Sequence, residues 1–293
     1  MMADLLNPAI RAIMFEEYKM WDPEYPKVFN VETTDKQEEK ESTLSGLTAA
    51  PRKLEGKSLT YDAPIQGYDV TYTQLTYALG FAVTMEMQKF DLSGKIRKLP
   101  KELMKSCRQT QEVTAWNIFN RAFSGSYLGG DGVSLCSTSH PLLGGGVQDN
   151  RPSPDVDFSL SGIRQALLDF HTMTNDRGFP IVQRPKHIII HPTKELIADE
   201  ILKSSQKPYT SDNEINAIKD KGLSYMLGHW LTSTGYWWVV SDKSQHTLRY
   251  LWSMEPDVEH DTDFATKNLL WSVVMMFAVG WTNYFGVWGS AGS

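Results

Sequence analysis

The sequence predicts an α+β fold, because helical and strand-like runs follow one another irregularly rather than as a strict βαβ series. Three features carry that reading. Residues 99–123 form a long amphipathic run, residues 58–62 and 68–77 are β-prone around Ala63-Pro-Ile-Gln-Gly67, and His187-Ile-Ile-Ile-His191 is a short apolar strand. With 293 residues, 41% hydrophobic and 22% charged, the chain has room for one large core or two modest ones.

The first element expected is a helix over 8–20, with Asn7 as cap and Pro8 in its first turn, ended by Trp21-Asp-Pro-Glu-Tyr-Pro26. Residues 32–41, ETTDKQEEKE, are dominated by acidic side chains with almost nothing apolar, the composition of a solvated, mobile arm. The two β-prone runs then read as a hairpin with its turn at 63–67, too polar to bury both faces in its own domain. The helix at 99–123 follows, about 37 Å long at 1.5 Å per residue. Pro100 stands at its start, Gly125 at its end, and Leu99, Leu103, Cys107, Thr114, Ile118 and Ala122 line one stripe. Lys98, Lys101, Lys105 and Arg108 run down another face, either solvated or set against something acidic. Residues 125–154 read as loop, with Gly129-Gly-Asp-Gly132 and Gly144-Gly-Gly146. Helices at about 160–175 and 193–204, a polar loop at 205–214, and strands near 237–241, 247–252 and 270–277 complete the chain.

Composition excludes several classes of function. Lys plus Arg is 29 against 35 for Asp plus Glu, so the net charge of −6 disfavours a dedicated nucleic-acid binder. Two cysteines cannot build a disulfide framework or a four-cysteine zinc site. The longest apolar stretch, 269–281, is too short to span a membrane, and no secretory signal pattern opens the sequence, which predicts a soluble protein of a reducing compartment. Nine Trp, 12 Tyr and 12 Phe suit either large self-association interfaces or a large core.

Constellations that could carry chemistry are sparse. His187 and His191 sit about 13 Å apart if extended, too far for one metal. Cys136 and His140 share a Gly-rich loop without an evident orienting group. No phosphate-loop pattern accompanies the glycine clusters. Asp257, Glu259, Asp261 and Asp263 alternate, so on a strand they would share one exposed face. No catalytic, cofactor-binding or metal-binding set emerges. The alternatives to a structural role are a cysteine or metal hydrolase around Cys136 and His140, and a monomeric binding module.

One resemblance adds to this. Tyr77-Ala-Leu-Gly-Phe-Ala-Val-Thr-Met-Glu-Met87, Phe119-Asn-Arg-Ala-Phe123, Asp131-Gly132, Leu135-Cys-Ser137, His140-Pro141, Gly178-Phe-Pro180, Pro185–Pro192 and Phe285-Gly-Val-Trp-Gly-Ser290 occur in order and spacing. The series resembles major capsid proteins of tailed bacteriophages. The sequence departs from that pattern at Asn283-Tyr-Phe285, where an Asp–Arg pair is common. The resemblance implies the Hong Kong 97-type fold: an N-terminal arm at 1–55, an extended loop at 56–90, and a peripheral domain with the spine helix at 91–159. A mostly axial domain at 160–255 and a return to the peripheral domain at 256–293 would complete it. It also implies self-assembly through hexamers and pentamers into an icosahedral head around double-stranded DNA. A separate scaffolding protein, a portal and other head proteins would be partners, in a virion assembled in the bacterial cytoplasm without cofactor or membrane. On that template the spine helix faces the interior, so Lys98, Lys101, Lys105 and Arg108 would meet packaged DNA weakly, or the acidic segment at 32–41.

Overall fold

A computed structural model describes residues 2–90, 95–208 and 214–292. It contains six α-helices and twelve strands among those residues. These gather into two compact units, each discontinuous in sequence.

The first unit comprises Met1–Glu39, Tyr72–Trp116 and Arg249–Gly280. Its sheet has the order β1 (Asn30–Thr33), β10 (Leu248–Thr262), β11 (Leu269–Trp281), β4 (Leu75–Val83). β1 runs parallel to β10 in the register Asn30↔Arg249, and β11 runs antiparallel to β4 in the register Met275↔Tyr77. Along β11 the residues Leu269, Trp271, Val273, Met275 and Phe277 are buried, the period of two that seats one face of a strand on a core. Aromatic rings tie the strands together crosswise. Tyr250 stacks on Phe277 at 5.0 Å, and Phe277 stacks on Tyr77 at 4.6 Å. Tyr25, on the short helix α2 (Tyr25–Val28), closes the column over Tyr250 at 4.2 Å. The helices α1 (Met2–Met20), α3 (Met85–Phe90) and most of α4 (Lys95–Asn120) also belong to this unit.

The second unit comprises Lys40–Thr71, Asn117–Leu248 and Trp281–Ser293. Its sheet has the order β12 (Val287–Ser290), β9 (Trp237–Ser241), β7 (Pro185–Ile190), β8 (Ser224–Leu227). β9 is antiparallel to both neighbours, and β7 is parallel to β8. Ile188, Ile190, Trp237 and Val239 face a core built with α5 (Leu160–Thr172) and α6 (Glu195–Lys203), which supply Ile163, Phe170, Ala198 and Ile201. Trp238, alternate to these, meets Phe119 edge-on at 5.3 Å. Ser159 caps α5 by accepting a hydrogen bond from the Gly162 amide. Five of the nine tryptophans, Trp116, Trp237, Trp238, Trp271 and Trp288, are fully buried, so the tryptophans serve the cores first.

Several expectations need correction. The acidic segment at 32–41 is not a free arm: its ends lie in β1 and in β2 (Glu38–Leu44). β2 pairs with β3 (Gln66–Thr73), while residues 58–62 form no strand. The hairpin is therefore β2–β3, with residues 45–65 as its long connection. Glu, Lys and Ser are poor strand formers, and here they line a two-stranded ribbon open to water on alternate positions, so no hydrophobic alternation betrays it. The β-prone run 68–77 is divided between β3 and β4.

Helix α1 begins at Met2 and contains Pro8, and α4 begins at Lys95, a turn before Pro100. A proline inside a helix forfeits its own N–H bond and crowds the carbonyl four residues back, yet both helices continue past it. α4 also stops at Asn120, before Ala122. β10 runs on to Thr262, well past its expected end. The glycines at 144–146 close a small ladder between β5 (His140–Pro141) and β6 (Val147–Gln148). Gly145 and Gly146 have φ of 92° and 94°, and a Cβ on Gly144 would lie 2.2 Å from the Asp176 carbonyl oxygen. Part of the polar loop at 205–214, residues 209–213, lies outside the described residues.

Candidate assembly surfaces

The connection between β2 and β3 is tied at its base and open beyond it. The Ser45 amide donates to the Ile65 carbonyl at 2.9 Å, and the Ile65 amide donates to Ser45 Oγ at 2.9 Å. One step out, Asp62 accepts from the amide and hydroxyl of Thr48 at 2.8 and 2.9 Å, which holds its carboxyl below the usual range. Arg177 donates to the Ala63 carbonyl at 2.9 Å. Beyond these ties nothing covers the chain: Leu54 and Leu59 are more than half exposed and Tyr61 is 88% exposed. Such a surface performs no chemistry. It offers large apolar side chains on a tethered, extended segment.

The four basic residues on α4 do not act as one face. Lys98 is exposed. Lys101 and Lys105 approach Glu17 on α1 at 3.3 and 3.8 Å, and Lys105 also meets Glu102 at 3.2 Å. Arg108 is buried. Its Nη2 and Nε donate to the Tyr18 carbonyl at 3.1 and 3.3 Å, its Nη1 donates to Gln111 Oε1 at 3.1 Å, and the guanidinium lies 3.4 Å over the Tyr18 ring. Arg108 is thus withdrawn from any solvent-facing stripe, because α1 docks on that side of α4. Within this chain the acidic partners of Lys101 and Lys105 are Glu17 and, for Lys105, Glu102, not the segment 32–41.

Beside Arg108 lies a carboxylate that the residue pattern did not single out. Glu112, fully buried, accepts from the amides of Glu24 and Tyr25 at 2.7 and 3.2 Å and from Trp116 Nε1 at 3.0 Å. Burial raises its pKa against the pull of those donors. Glu112 fastens the link between α1 and α2. Its partners on the chain before α4 are about 90 residues away, so no local pattern pointed to it.

Cys136 and His140 do not form a nucleophile–base pair. Cys136 is completely buried, which pushes its thiol far above the ordinary value, the opposite of activation. His140 directs Nδ1 to Asp131 Oδ2 at 2.6 Å and Nε2 to Asn150 Oδ1 at 3.0 Å, with its ring stacked 3.7 Å from Tyr284. Asn150 is the hub. Its Nδ2 donates to the carbonyls of Leu135 and Val287 at 2.8 and 3.0 Å, and its Oδ1 accepts from the Ser137 amide at 2.8 Å. This cluster fastens the loop at 131–150 to β12, a structural task. No sequence pattern marked Asn150.

The other candidates are also structural. His187 Nδ1 contacts Ser224 Oγ at 2.7 Å, and His191 Nδ1 accepts from the Thr193 amide at 3.2 Å. Asp257, Glu259 and Asp261 share the exposed side of β10, as expected, whereas Asp263 lies in the following turn and accepts from Thr266 Oγ1 at 2.6 Å. Among the described residues no group of three His, Cys, Asp or Glu side chains is placed to hold a metal ion.

A family model described as phage capsid protein matches residues 67–289. No curated protein matches the sequence. Solved structures do match in fold. The capsid of bacteriophage JBD30, decorated with minor capsid protein trimers, aligns with a TM-score of 0.57 at 12% identity, over 72% of this chain and 92% of that one. The mature capsid of bacteriophage PhiM1 aligns with a TM-score of 0.57 at 10% identity, over 92% and 86%. A virus-like particle from Pyrococcus furiosus aligns with a TM-score of 0.53 at 8% identity, over 96% and 97%.

Proposed function

The chain belongs to the phage capsid protein family, and from that premise we propose that its copies close through hexamers and pentamers into an icosahedral head around double-stranded DNA. It is a structural major capsid protein of the Hong Kong 97-type fold, a component of the virion shell and not an enzyme. The observation that carries the finer reading is the connection at 45–65, whose Leu54, Leu59 and Tyr61 are more than half exposed among the described residues. Surfaces of this kind are satisfied by neighbours, and a closed shell leaves none of them unmatched.

On this reading residues 91–159 and 256–293 are the peripheral domain, 160–255 mostly the axial domain, and β2–β3 with its connection the extended loop. A separate scaffolding protein and a portal direct closure in the host cytoplasm. Lys98, Lys101 and Lys105 remain available for weak, salt-sensitive contact with the genome, since an exposed ion pair such as Lys101–Glu17 is easily exchanged.

Expression of the chain followed by electron microscopy tests the proposal. Closed shells or capsomer rings are expected, and a well-folded monomer under every solvent condition would overturn it. Removal of residues 49–60 is expected to leave circular dichroism and thermal unfolding of the subunit unchanged while abolishing shells; a collapse of subunit stability would show that the connection is core.

A further inference from the structure

In the second unit a cleft of about 650 Å³ opens between α5 and residues 217–223. Its floor is apolar, formed by Leu167, Ile218 and Leu223, and Leu168 stands at its lip 60% exposed. Its rim is basic: Arg164, Arg184 and Lys221 line it and are exposed, with His171 beside them and Asp220 as the carboxylate among the described lining residues.

The same unit carries the complementary shape. On α6, Leu196 is 77% exposed, with exposed Glu195 beside it and exposed Glu200 one turn on. Asp199 is paired with Lys203 at 2.6 Å and accepts from Tyr225 Oη at 2.6 Å, so the acidic character of this face rests on Glu195 and Glu200. A lone exposed leucine is ordinary. An exposed leucine among carboxylates, on a chain that also bears an apolar cleft ringed by cations, makes the chain complementary to itself through two different patches.

We propose that α6 of one copy seats Leu196 in the cleft beside α5 of the next, with its carboxylates against Arg164, Arg184 and Lys221. Because the two patches differ, the contact is head-to-tail, and repeated copies extend past a dimer, into a ring where the rotation closes. Charge complementarity sets the register, and the desolvated leucine supplies the apolar anchor. The inference rests on the shell reading and names the contact that builds its rings.

Disulfide trapping tests it. Cys107 and Cys136 are both buried and do not compete, so the double variant Leu168→Cys/Leu196→Cys places the exposed thiols on the two patches alone. Oxidised particles are expected to run on a non-reducing gel as a covalent ladder extending past the dimer, collapsed by reductant. Each single variant should remain monomeric on the gel. Dimers from a single variant would mean that like patches meet, which overturns the proposal. Shells without a ladder would overturn this contact and leave the shell reading standing, whereas a wild-type chain that stays monomeric would overturn both.

A second measurement needs no substitution. Carbodiimide treatment of assemblies made from mixed heavy- and light-isotope wild-type chains should join Lys221 to Glu195 or Glu200 in mixed-mass peptides. Absence of such peptides from assembled material would overturn the contact.

Discussion

Strands β9 and β12 bury every one of their residues, whereas β2 and β3 together bury only Tyr72. Both pairs are antiparallel ladders made by one chain, yet they answer to different constraints. β9 and β12 lie within a four-stranded sheet with side chains packed on both faces, so their sequence is almost wholly apolar or small. The β2–β3 ribbon has two strands, which in water is marginal by itself, and its positions stay polar. The difference separates residues that hold the subunit together from residues left open to water.

The largest effect should come from the buried ladder. Trp237→Ala removes a ring packed at 5.4 Å against Phe158 and at 5.0 Å against Trp288. It also removes an indole donor to the Val156 carbonyl. A loss of about 3–5 kcal/mol in chemical denaturation is expected. The same truncation at Tyr61, 88% exposed, should change stability by no more than about 0.5 kcal/mol. Equal losses at the two sites would erase the comparison. Asn150→Ala should follow at about 2–4 kcal/mol, since two carbonyls and an amide lose their partner in a buried place.

Acid should act on the buried region through His246. Burial, reinforced by Lys243 and His187 against the opposing pull of Asp242, lowers its pKa from 6.5 to about 4. The folded state therefore prefers the neutral ring, while the unfolded chain takes up a proton below pH 6.5. The stabilisation is complete above that pH and is lost as pH falls towards about 4, at roughly 1.4 kcal/mol per pH unit. Thermal unfolding across that window should slope for the wild type and flatten for His246→Gln; parallel slopes would remove His246 from the account. The smallest effect belongs to the exposed pairs. Lys101→Gln and Lys105→Gln should each cost less than about 1 kcal/mol, and the cost should vanish with added salt.

Legibility in the sequence followed the same division. The Ile188-Ile189-Ile190 strand and the existence of a long helix at α4 announced themselves through runs of apolar residues at strand and helix spacing. β2 did not, because a ribbon bathed on alternate positions has no hydrophobic signature to find. On α4 the apolar residues alone gave a stripe through Thr114 and Ile118, which are only half-buried. The true stripe passes through Arg108, Gln111 and Glu112, polar residues whose burial depends on partners about 90 residues away in sequence. The ordered series of short motifs carried the family although no one of them would have. The hub role of Asn150 arises only when Leu135, Ser137, His140 and Val287 are brought together, so nothing local could reveal it.

The parallel pairing of β1 with β10 bears on how the chain is made. Asn30 and its partner Arg249 are about 220 residues apart. A ribosome adding roughly 5–20 residues per second needs about 10–40 s to bridge that gap. For most of that interval the nascent N-terminal segment is outside the exit tunnel while the strand it pairs with does not yet exist. The sheet of the second unit waits as well, since β12 at Val287–Ser290 is made last and completes it beside β9. The period of translation, more than refolding in dilute solution, is then when nascent chains on one messenger must be kept from joining each other too soon.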